Sequence, residues 1–412
     1  MPEKMKYIII VGDGMADYPV QSLGGKTPLM VAKTPHMDFM VGQGEIGLVR
    51  TIPKGFNPGS EIANLSIFGY DPVRYYTGRG PLEAASLGVK LSDDDIAFRC
   101  NLVTLKFQGN KIVMEDFSAG HIRDEEAREV ILDLNKEMGT KEIQFFPGVS
   151  YRHLMVMKNG AAKFLNLEKL ELTPPHDIIG KEITAFLPQI NDPILALMTR
   201  SQRLLKHHSV NIAREGKGLL PANSIWLWGQ GRSPRMVTLK EKFEMDGFVI
   251  SAVHLIKGIG ILAGLEVLEV PGITGYFDTN YDGKAQYALE GLKEKDFVYL
   301  HVEAPDEAGH MGDLQLKIDA IEAFDQKIVG AILKGIKDFK RYKILVLPDH
   351  PTPLSVRTHT ADPVPYAIYS NGEGGKTGHG KTFDEVSAGL SGISIERGFE
   401  LIERFLNPRD SG

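Results

Sequence analysis

Four short apolar runs constrain the fold of this chain more than any other feature of its sequence. They occupy residues 7–11, 297–302, 344–347 and 365–369 and consist mainly of Ile, Val, Leu and aromatic residues. Apolar runs without polar alternation are typical of strands buried on both faces, as in parallel sheets. Stretches with apolar residues at helical spacing lie between them, at 285–293 and 314–334. This alternation predicts an α/β fold with a doubly wound, mostly parallel sheet.

The segment from residue 91 to residue 244 has a different pattern. Its strands look shorter and alternating, as at 101–107, and its loops contain prolines, as at 172–176. We therefore expect a smaller α+β domain at 91–244, inserted into a sheet domain formed by residues 1–90 and 245–412.

Composition excludes several classes of protein. The 412 residues are 42% hydrophobic and 24% charged, which is typical of a globular protein and not of a disordered one. The net charge of −6 is unlike that of a nucleic-acid-binding protein. The single cysteine, Cys100, excludes disulfide scaffolds, Cys-rich zinc sites and iron–sulfur clusters. No segment has the length and composition of a membrane span or export signal, so we expect a cytoplasmic protein.

Acidic residues follow three of the predicted strands. Asp13, Asp306 and Asp349 come after the runs at 7–11, 297–302 and 344–347. Ligands of open α/β sheets bind outside the carboxyl ends of the strands, so neighbouring strands would bring these carboxylates together. Three close carboxylates repel one another unless a cation compensates them.

Histidines accompany two of these acids. His310 is four residues after Asp306, His350 adjoins Asp349, and His359 follows nine residues later. Equal numbers of Asp and His suit Mn²⁺, Zn²⁺, Co²⁺ or Fe²⁺ better than Mg²⁺ or Ca²⁺, and six ligands exceed the needs of one ion. The pattern favours a two-metal site. Taken singly, each Asp could instead be a turn former or helix N-cap, and each His a surface or core residue.

A second candidate is Ser60, at the Gly-Ser turn that enters a potential helix at 61–68. Helix N-termini favour negative charge, and a metal could lower the pKa of the Ser60 hydroxyl so that it acts as a nucleophile. The alternative is a simple N-cap. A full capping box is excluded because position 63 is Ala63.

Two segments resemble nucleotide-binding motifs. The glycines around Asp13 resemble a dinucleotide-binding turn but lack the third glycine. Residues 375–382 match a phosphate-binding loop that would use Lys381, but they neither follow a strand directly nor open a good helix. A nucleotide-dependent enzyme stays an alternative.

Basic residues of the middle segment could bind an anionic substrate, since Arg pairs with phosphate and carboxylate in bidentate fashion. Arg152, His153 and Arg232 have apolar neighbours and are the candidates for substrate binding. Lys284 begins a predicted helix of the sheet domain and could face the same cleft.

The motifs occur in the order seen in the alkaline phosphatase superfamily. They are Gly12-Asp13-Gly14, Pro58-Gly-Ser60-Glu61, Asp306-xxx-His310, Asp349-His350 and Thr358-His359-Thr360. Within this superfamily the chain resembles cofactor-independent phosphoglycerate mutases of the archaeal type. That resemblance extends over most of the chain and includes Thr34-Pro-His-Met-Asp38 and Gly78-Arg-Gly-Pro-Leu-Glu83.

The resemblance implies a division of the ligands. Asp306, His310 and His359 would bind one divalent ion, and Asp13, Ser60, Asp349 and His350 the other. Mn²⁺ is expected first, with Zn²⁺, Co²⁺ and Mg²⁺ as alternatives.

The resemblance also implies a reaction. The substrate would be a small phosphoglycerate, and 3-phosphoglycerate and 2-phosphoglycerate would interconvert through phosphorylated Ser60 without 2,3-bisphosphoglycerate. The inserted domain would close over the site to exclude water, and Lys284 would assist proton movement. The alternatives are a metal-dependent phosphomonoesterase, another phosphosugar mutase and a non-catalytic metal-binding protein. Nucleic acid and membrane partners are not expected, and a homo-oligomer is left open.

Overall fold

The computed structural model describes residues 4–164, 166–189, 192–371 and 381–406. Most of the phosphate-loop-like pattern at 375–382 lies outside these residues. The chain divides into two compact units, which we call the sheet unit (Met1–Tyr76 and Met236–Gly412) and the inserted unit (Thr77–Arg235). Both divisions fall earlier in the chain than the boundaries expected from the sequence, at 90/91 and 244/245.

The strands of the described residues are β1 Lys6–Gly12, β2 Glu45–Val49, β3 Ile96–Gln108, β4 Lys111–Asp116, β5 Ile143–Val149, β6 Arg152–Met157, β7 Ser224–Gly231, β8 Gly247–Ile250, β9 Glu266–Val267, β10 Phe297–Val302, β11 Tyr342–Leu347, β12 Val364–Ser370 and β13 Ser394–Ile395.

The α-helices of the same residues are α1 Pro28–Val31, α2 Pro35–Gln43, α3 Ser60–Ile67, α4 Pro72–Tyr75, α5 Arg79–Ser86, α6 Asp124–Met138, α7 Gly160–Lys163, α8 Pro193–Leu205, α9 Ser209–Glu215, α10 Leu239–Phe243, α11 His254–Leu262, α12 Tyr281–Gly291, α13 Ala304–Met311, α14 Leu314–Phe324, α15 Gly330–Gly335, α16 Glu385–Gly389 and α17 Leu401–Leu406.

The sheet unit is built on one eight-stranded sheet, in the order β13-β2-β12-β11-β1-β10-β8-β9. Strand β1 lies at its centre and runs parallel to both neighbours, with Gly12 opposite Val302 and Val11 opposite Leu347. Residues of β1 that point to opposite faces, such as Ile8 and Ile9, are fully buried. The predicted α/β fold with a mostly parallel sheet is therefore confirmed.

Strand β12 is an exception to the parallel pattern. It corresponds to the apolar run at 365–369, which was expected to be parallel, but it pairs antiparallel with both β11 and β2. The connection from β11 to β12, residues 348–363, is described throughout and contains no helix. Parallel neighbours normally need a crossover connection, usually a helix. An apolar run indicates that a strand is buried, and it does not indicate the direction of the strand.

The helical stretch predicted at 314–334 is divided in the structure. Helix α14 leads into a π-helical turn, Asp325–Val329, which leads into α15. Asp325, at the start of this turn, accepts hydrogen bonds from the backbone N–H groups of His36 and Met37. The turn therefore supports the first turn of α2, a distant helix.

The inserted unit is an antiparallel sheet with helices. Its strands lie in the order β4-β3-β6-β5, and β7 pairs with β3. Strand β3 is longer than the alternating segment predicted at 101–107, and its residues from Ile96 to Leu105 are buried. Helix α6 packs on β5, and α8 packs on β7. This is an α+β architecture.

Candidate metal centre

Three neighbouring strands bring the predicted acids together. Asp13 follows β1 directly, Asp349 is the second residue after β11, and Asp306 lies in the first turn of α13, just after β10. Because β1 lies between β10 and β11, the carboxyl ends of all three strands adjoin. The three acidic residues are at most 5% exposed.

One cluster contains Asp306, His310 and His359. His310 is one helical turn after Asp306, and its Nε2 lies 3.1 Å from Asp306 Oδ2. His359 Nε2 lies 3.6 Å from Asp306 Oδ1 and 3.0 Å from His310 Nε2. Three potential ligand atoms therefore converge on one point.

A second cluster contains Asp13, Asp349, His350 and Ser60. His350 Nε2 lies 3.4 Å from Asp13 Oδ1, 3.5 Å from Asp349 Oδ2 and 3.1 Å from Ser60 Oγ. The potential ligand atoms of His350 lie within 4.8 Å of those of Asp306 and His359 as well. The two clusters therefore adjoin at His350.

The electrostatics of the acids differ. Burial, together with the nearby Asp349 and Asp306, raises the pKa of Asp13 well above its usual range. Burial would also raise the pKa of Asp306, but hydrogen bonds and charge from His310 and His359 outweigh burial and hold it well below its usual range. Asp13 Oδ1 is buried without a hydrogen-bond partner in the described residues. A divalent cation would stabilise the ionised form of Asp13 and occupy this oxygen.

Ser60 is the first residue of α3, and Gly59 occupies the N-cap position. The Ser60 hydroxyl contacts His350. The N-cap residue, Gly59, has no side chain that could cap the first turn of α3. The alternative interpretation of Ser60 as a simple N-cap is therefore wrong. Asn64, one turn later, donates to Ser60 O at 2.9 Å and to Asp349 Oδ2 at 2.8 Å. Asn64 thereby joins α3 to the acid that follows β11.

Thr352 connects the two clusters. Its fully buried hydroxyl donates to Asp306 Oδ1 and lies 3.3 Å from His350 Nδ1. Because the hydroxyl of Thr352 donates its only proton to Asp306, its oxygen accepts the N–H of His350 Nδ1. The lone pair of His350 Nε2 is then directed at Ser60 and the second cluster.

His301 contacts Asp13 of the second cluster, and Lys284 contacts His301. His301 Nε2 lies 3.1 Å from Asp13 Oδ2, and both residues are buried. Burial lowers the pKa of His301 to about 4. Lys284, in α12, is 1% exposed and donates to His301 O at 2.9 Å. Burial lowers the pKa of Lys284 to about 8.

The substrate-binding candidates lie in the inserted unit in different environments. Arg152 begins β6 and is exposed, with its guanidinium 5.3 Å from the centre of the Tyr151 ring. His153 is 1% exposed, and burial together with the charge of Arg99 lowers its pKa to about 3. Arg232 forms ion pairs with Glu168 at 3.0 Å and Asp94 at 3.7 Å.

Sequence reasoning missed four residues at the centre, namely Asn64, His301, Thr352 and Tyr299, whose hydroxyl donates to Asn64. Two of them carried a local signal, since Asn64 is one helical turn after Ser60 and Thr352 is two residues after His350. The other two lie within the apolar run of β10. They become recognisable only when the neighbouring strands are known.

Comparison with known proteins identifies relatives. A family profile for 2,3-bisphosphoglycerate-independent phosphoglycerate mutase matches residues 42–211. The mutase of that name from Methanosarcina barkeri is 51% identical over 97% of this chain and 98% of its own.

Solved structures show the same similarity. A protein from Pyrococcus horikoshii has a TM-score of 0.81 and 30% identity, over 100% of this chain and 99% of its own. A cofactor-independent phosphoglycerate mutase from Thermoplasma acidophilum has a TM-score of 0.61 and 28% identity, over 98% and 99%. Among the described residues, no helix is both long and apolar enough to span a membrane.

Proposed function

Because this chain belongs to the family of 2,3-bisphosphoglycerate-independent phosphoglycerate mutases, we propose that it interconverts 3-phosphoglycerate and 2-phosphoglycerate with Ser60 as the carrier of the phosphoryl group. The enzyme is an isomerase that catalyses an intramolecular phosphoryl transfer. The placement of Ser60 is the observation that supports this role. Ser60 begins α3, and its Oγ lies 3.1 Å from Nε2 of His350, the residue at which the two Asp/His clusters adjoin.

The donor set fits two divalent cations. Asp306, His310 and His359 would hold one of them, and Asp13, Ser60, Asp349 and His350 the other. The buried Asp13 Oδ1 without a hydrogen-bond partner in the described residues supports this assignment. When bound, such ions lower the pKa of a coordinated hydroxyl and neutralise phosphoryl oxygens. We propose Mn²⁺, with Zn²⁺, Co²⁺ and Mg²⁺ as alternatives, because Asp/His sites accept several metals.

The reaction then proceeds in two transfers. Ser60 Oγ loses its proton and forms a bond to phosphorus, while the bond from phosphorus to the 3-oxygen of the substrate breaks and that oxygen takes up a proton. The 2-hydroxyl of glycerate then loses its proton and forms a bond to phosphorus, while the bond from phosphorus to Ser60 Oγ breaks and Oγ takes up a proton, which restores Ser60. The first residues of α3 favour the negative charge on the phosphoserine, because a helix N-terminus carries partial positive charge.

Residues beyond the metal centre would bind glycerate and move protons. Lys284 is our candidate for proton transfer at the glycerate oxygens, because a pKa of about 8 suits exchange near neutral pH. This role requires the ammonium to leave the carbonyl of His301. Arg152, which is exposed, is the first candidate for the glycerate carboxylate, followed by His153 and Arg232. The closing role of the inserted domain stays a prediction.

The function is tested with metal-stripped protein and 3-phosphoglycerate, with and without Mn²⁺, in the absence of bisphosphoglycerate. We expect Mn²⁺-dependent formation of 2-phosphoglycerate and little free phosphate in the same reaction. Phosphate release without isomerisation would show a phosphatase and contradict the proposal.

The role of Ser60 is tested with Ser60→Ala, which we expect to abolish turnover and the capture of labelled phosphate on the protein. Ser66→Ala is the matched control. Ser66 lies on the same helix, is 1% exposed, and its hydroxyl has no hydrogen-bond partner in the described residues. Its removal should leave turnover unchanged. Normal turnover by Ser60→Ala would exclude the phosphoserine route.

A further inference from the structure

We propose that His301 is a positioning residue, which holds the carboxylate of Asp13 in the orientation required by the metal centre, and that Ser251 in turn holds His301. This inference rests on the proposed function, because it assumes that Asp13 binds a divalent cation.

The two oxygens of Asp13 face different neighbours. Oδ1 lies 3.4 Å from Nε2 of His350 and has no hydrogen-bond partner in the described residues. Oδ2 lies 3.1 Å from Nε2 of His301. One oxygen is thus available to a cation, and the other is directed at His301. Asp13 is 2% exposed and His301 is fully buried, so these neighbours, and not bulk water, orient the carboxylate.

Ser251 contacts the other ring nitrogen of His301. Ser251 Oγ accepts the N–H of Val253 at 3.0 Å and lies 3.3 Å from Nδ1 of His301. The hydroxyl of Ser251 can donate its proton to Nδ1, and in that tautomer the single proton of a neutral imidazole is on Nε2, next to Asp13 Oδ2. The Nε2–H is not aligned with a partner in the described residues.

The backbone of His301 is held as well. His301 lies in β10, opposite Val11 of β1, and Lys284 donates to its carbonyl oxygen at 2.9 Å. Ser251 directly follows β8, the other neighbour of β10. Asp13, His301 and Ser251 therefore lie on or directly after the adjacent strands β1, β10 and β8. This arrangement suits a positioning role.

The geometry distinguishes His301 from the ligands themselves. Asp13, Asp349 and His350 have potential ligand atoms within 4.8 Å of one another. His350 lies near Oδ1 of Asp13, whereas His301 lies near Oδ2, the other oxygen of this carboxylate. His301 thus contacts Asp13, a proposed metal ligand, without being a proposed ligand itself. Loss of such an outer partner typically lowers metal affinity by about 10- to 100-fold.

The test is a titration of metal-stripped protein with Mn²⁺, in which electron paramagnetic resonance measures free Mn²⁺. We expect wild type to bind two ions. His301→Leu should weaken one of the two sites by about 10- to 100-fold and leave the other unchanged. His301→Gln, which can still donate a hydrogen bond, should recover most of the loss, and Ser251→Ala should cause a smaller one. Turnover of His301→Leu should return at saturating Mn²⁺ with an unchanged KM for 3-phosphoglycerate.

His36→Gln is the matched control. His36 also contacts a buried aspartate of the sheet unit, Asp325 at 2.8 Å, and lies outside the metal centre. It should leave both Mn²⁺ affinities unchanged. Wild-type Mn²⁺ affinity in folded His301→Leu, or equal weakening of both Mn²⁺ sites, would overturn the role of His301 and leave the proposed function intact. If His301→Leu does not fold, Ser251→Ala carries the test, and wild-type Mn²⁺ affinity at both sites of Ser251→Ala overturns the proposal. Absence of Mn²⁺ binding by wild type would overturn the proposed metal centre as well.

Discussion

At the residue scale, close contacts around Asp306 decide which side chains the metal centre tolerates. Gly14 has a φ of +62°, and a Cβ at this position would lie 2.5 Å from Asp306 Oδ1 and 2.6 Å from Thr352 Oγ1. Its backbone N–H also donates to Asp349 Oδ1 at 3.1 Å. Glycine is therefore required by space as well as by backbone conformation.

Gly14→Ala should lower the stability of the metal-free protein by about 2 to 5 kcal/mol, because left-handed backbone strain and overpacking add. The matched control is Gly24→Ala, since Gly24 has a φ of +67° but no heavy atom within 4 Å of an added Cβ. The control should lose only about 1 to 2 kcal/mol. Urea unfolding measures both variants, and equal losses would show that the space around Gly14 is not limiting.

A second residue-scale prediction concerns pH. The pKa of His153 is about 3 in the folded protein and about 6.5 in an unfolded chain. The unfolded state therefore binds one more proton below pH 6.5, and the stability of the folded state falls as pH falls from 6.5 toward 3. Above pH 7.5 both states are neutral and His153 contributes no pH dependence.

The measurement compares urea unfolding of wild type and His153→Gln at pH 7.5 and pH 5.5. The stability of wild type relative to the variant should fall by about 1.4 kcal/mol between the two values. Other titrating groups cancel in this comparison. A constant difference between the two proteins would contradict the low pKa of His153.

At the element scale, helix α2 is capped by a distant part of the chain. Thr34 precedes Pro35 and looks like a local N-cap, but its side chain does not cap the helix. Asp325 accepts the N–H groups of His36 and Met37, at 3.2 Å and 2.8 Å. The acceptor comes from the π-helical turn, so local sequence could not identify it.

Asp325→Ala should lower the free energy of unfolding by about 3 kcal/mol, because it leaves one buried and one partly buried N–H donor without partners. Thr34→Ala is the matched control and should lose less than about 1 kcal/mol. Thermal and urea unfolding of both variants test the difference. A larger loss in Thr34→Ala would show that the local residue caps the helix after all.

Elements were predictable from the sequence to different degrees. The apolar runs identified β1, β10, β11 and β12 as buried strands, because burial on both faces excludes polar alternation. The direction of β12 was not predictable, since its pairing depends on a connection without a helix. The helical stretch at 314–334 was predicted as one helix, but its spacing could not reveal the π-helical turn.

At the scale of the whole molecule, cations and folding are coupled. Asp13, Asp306 and Asp349 are buried together, and burial and mutual repulsion raise the pKa of Asp13. Bound cations would offset this repulsion in the folded state only, so they should stabilise it.

Removal of metal by a chelator should therefore lower the thermal midpoint, and added Mn²⁺ should restore it. At 100 times the dissociation constant, one site contributes about 2.7 kcal/mol. Asp306→Asn should reduce the Mn²⁺-dependent shift, because it removes one charged ligand. A thermal midpoint that is independent of Mn²⁺ in wild type would contradict the coupling.

The sequence alone determined the fold class, the acids at the strand ends, their histidine partners and the serine at a helix start. Apolar runs and spacing are local properties, so they can be read without coordinates. Only the tertiary structure decided that β1 lies between β10 and β11, that β12 runs antiparallel, and that His301 and Thr352 contact the acids. These features depend on contacts between separate segments of the chain, such as β1 with β10 and β11, and no local pattern specifies which strands become neighbours.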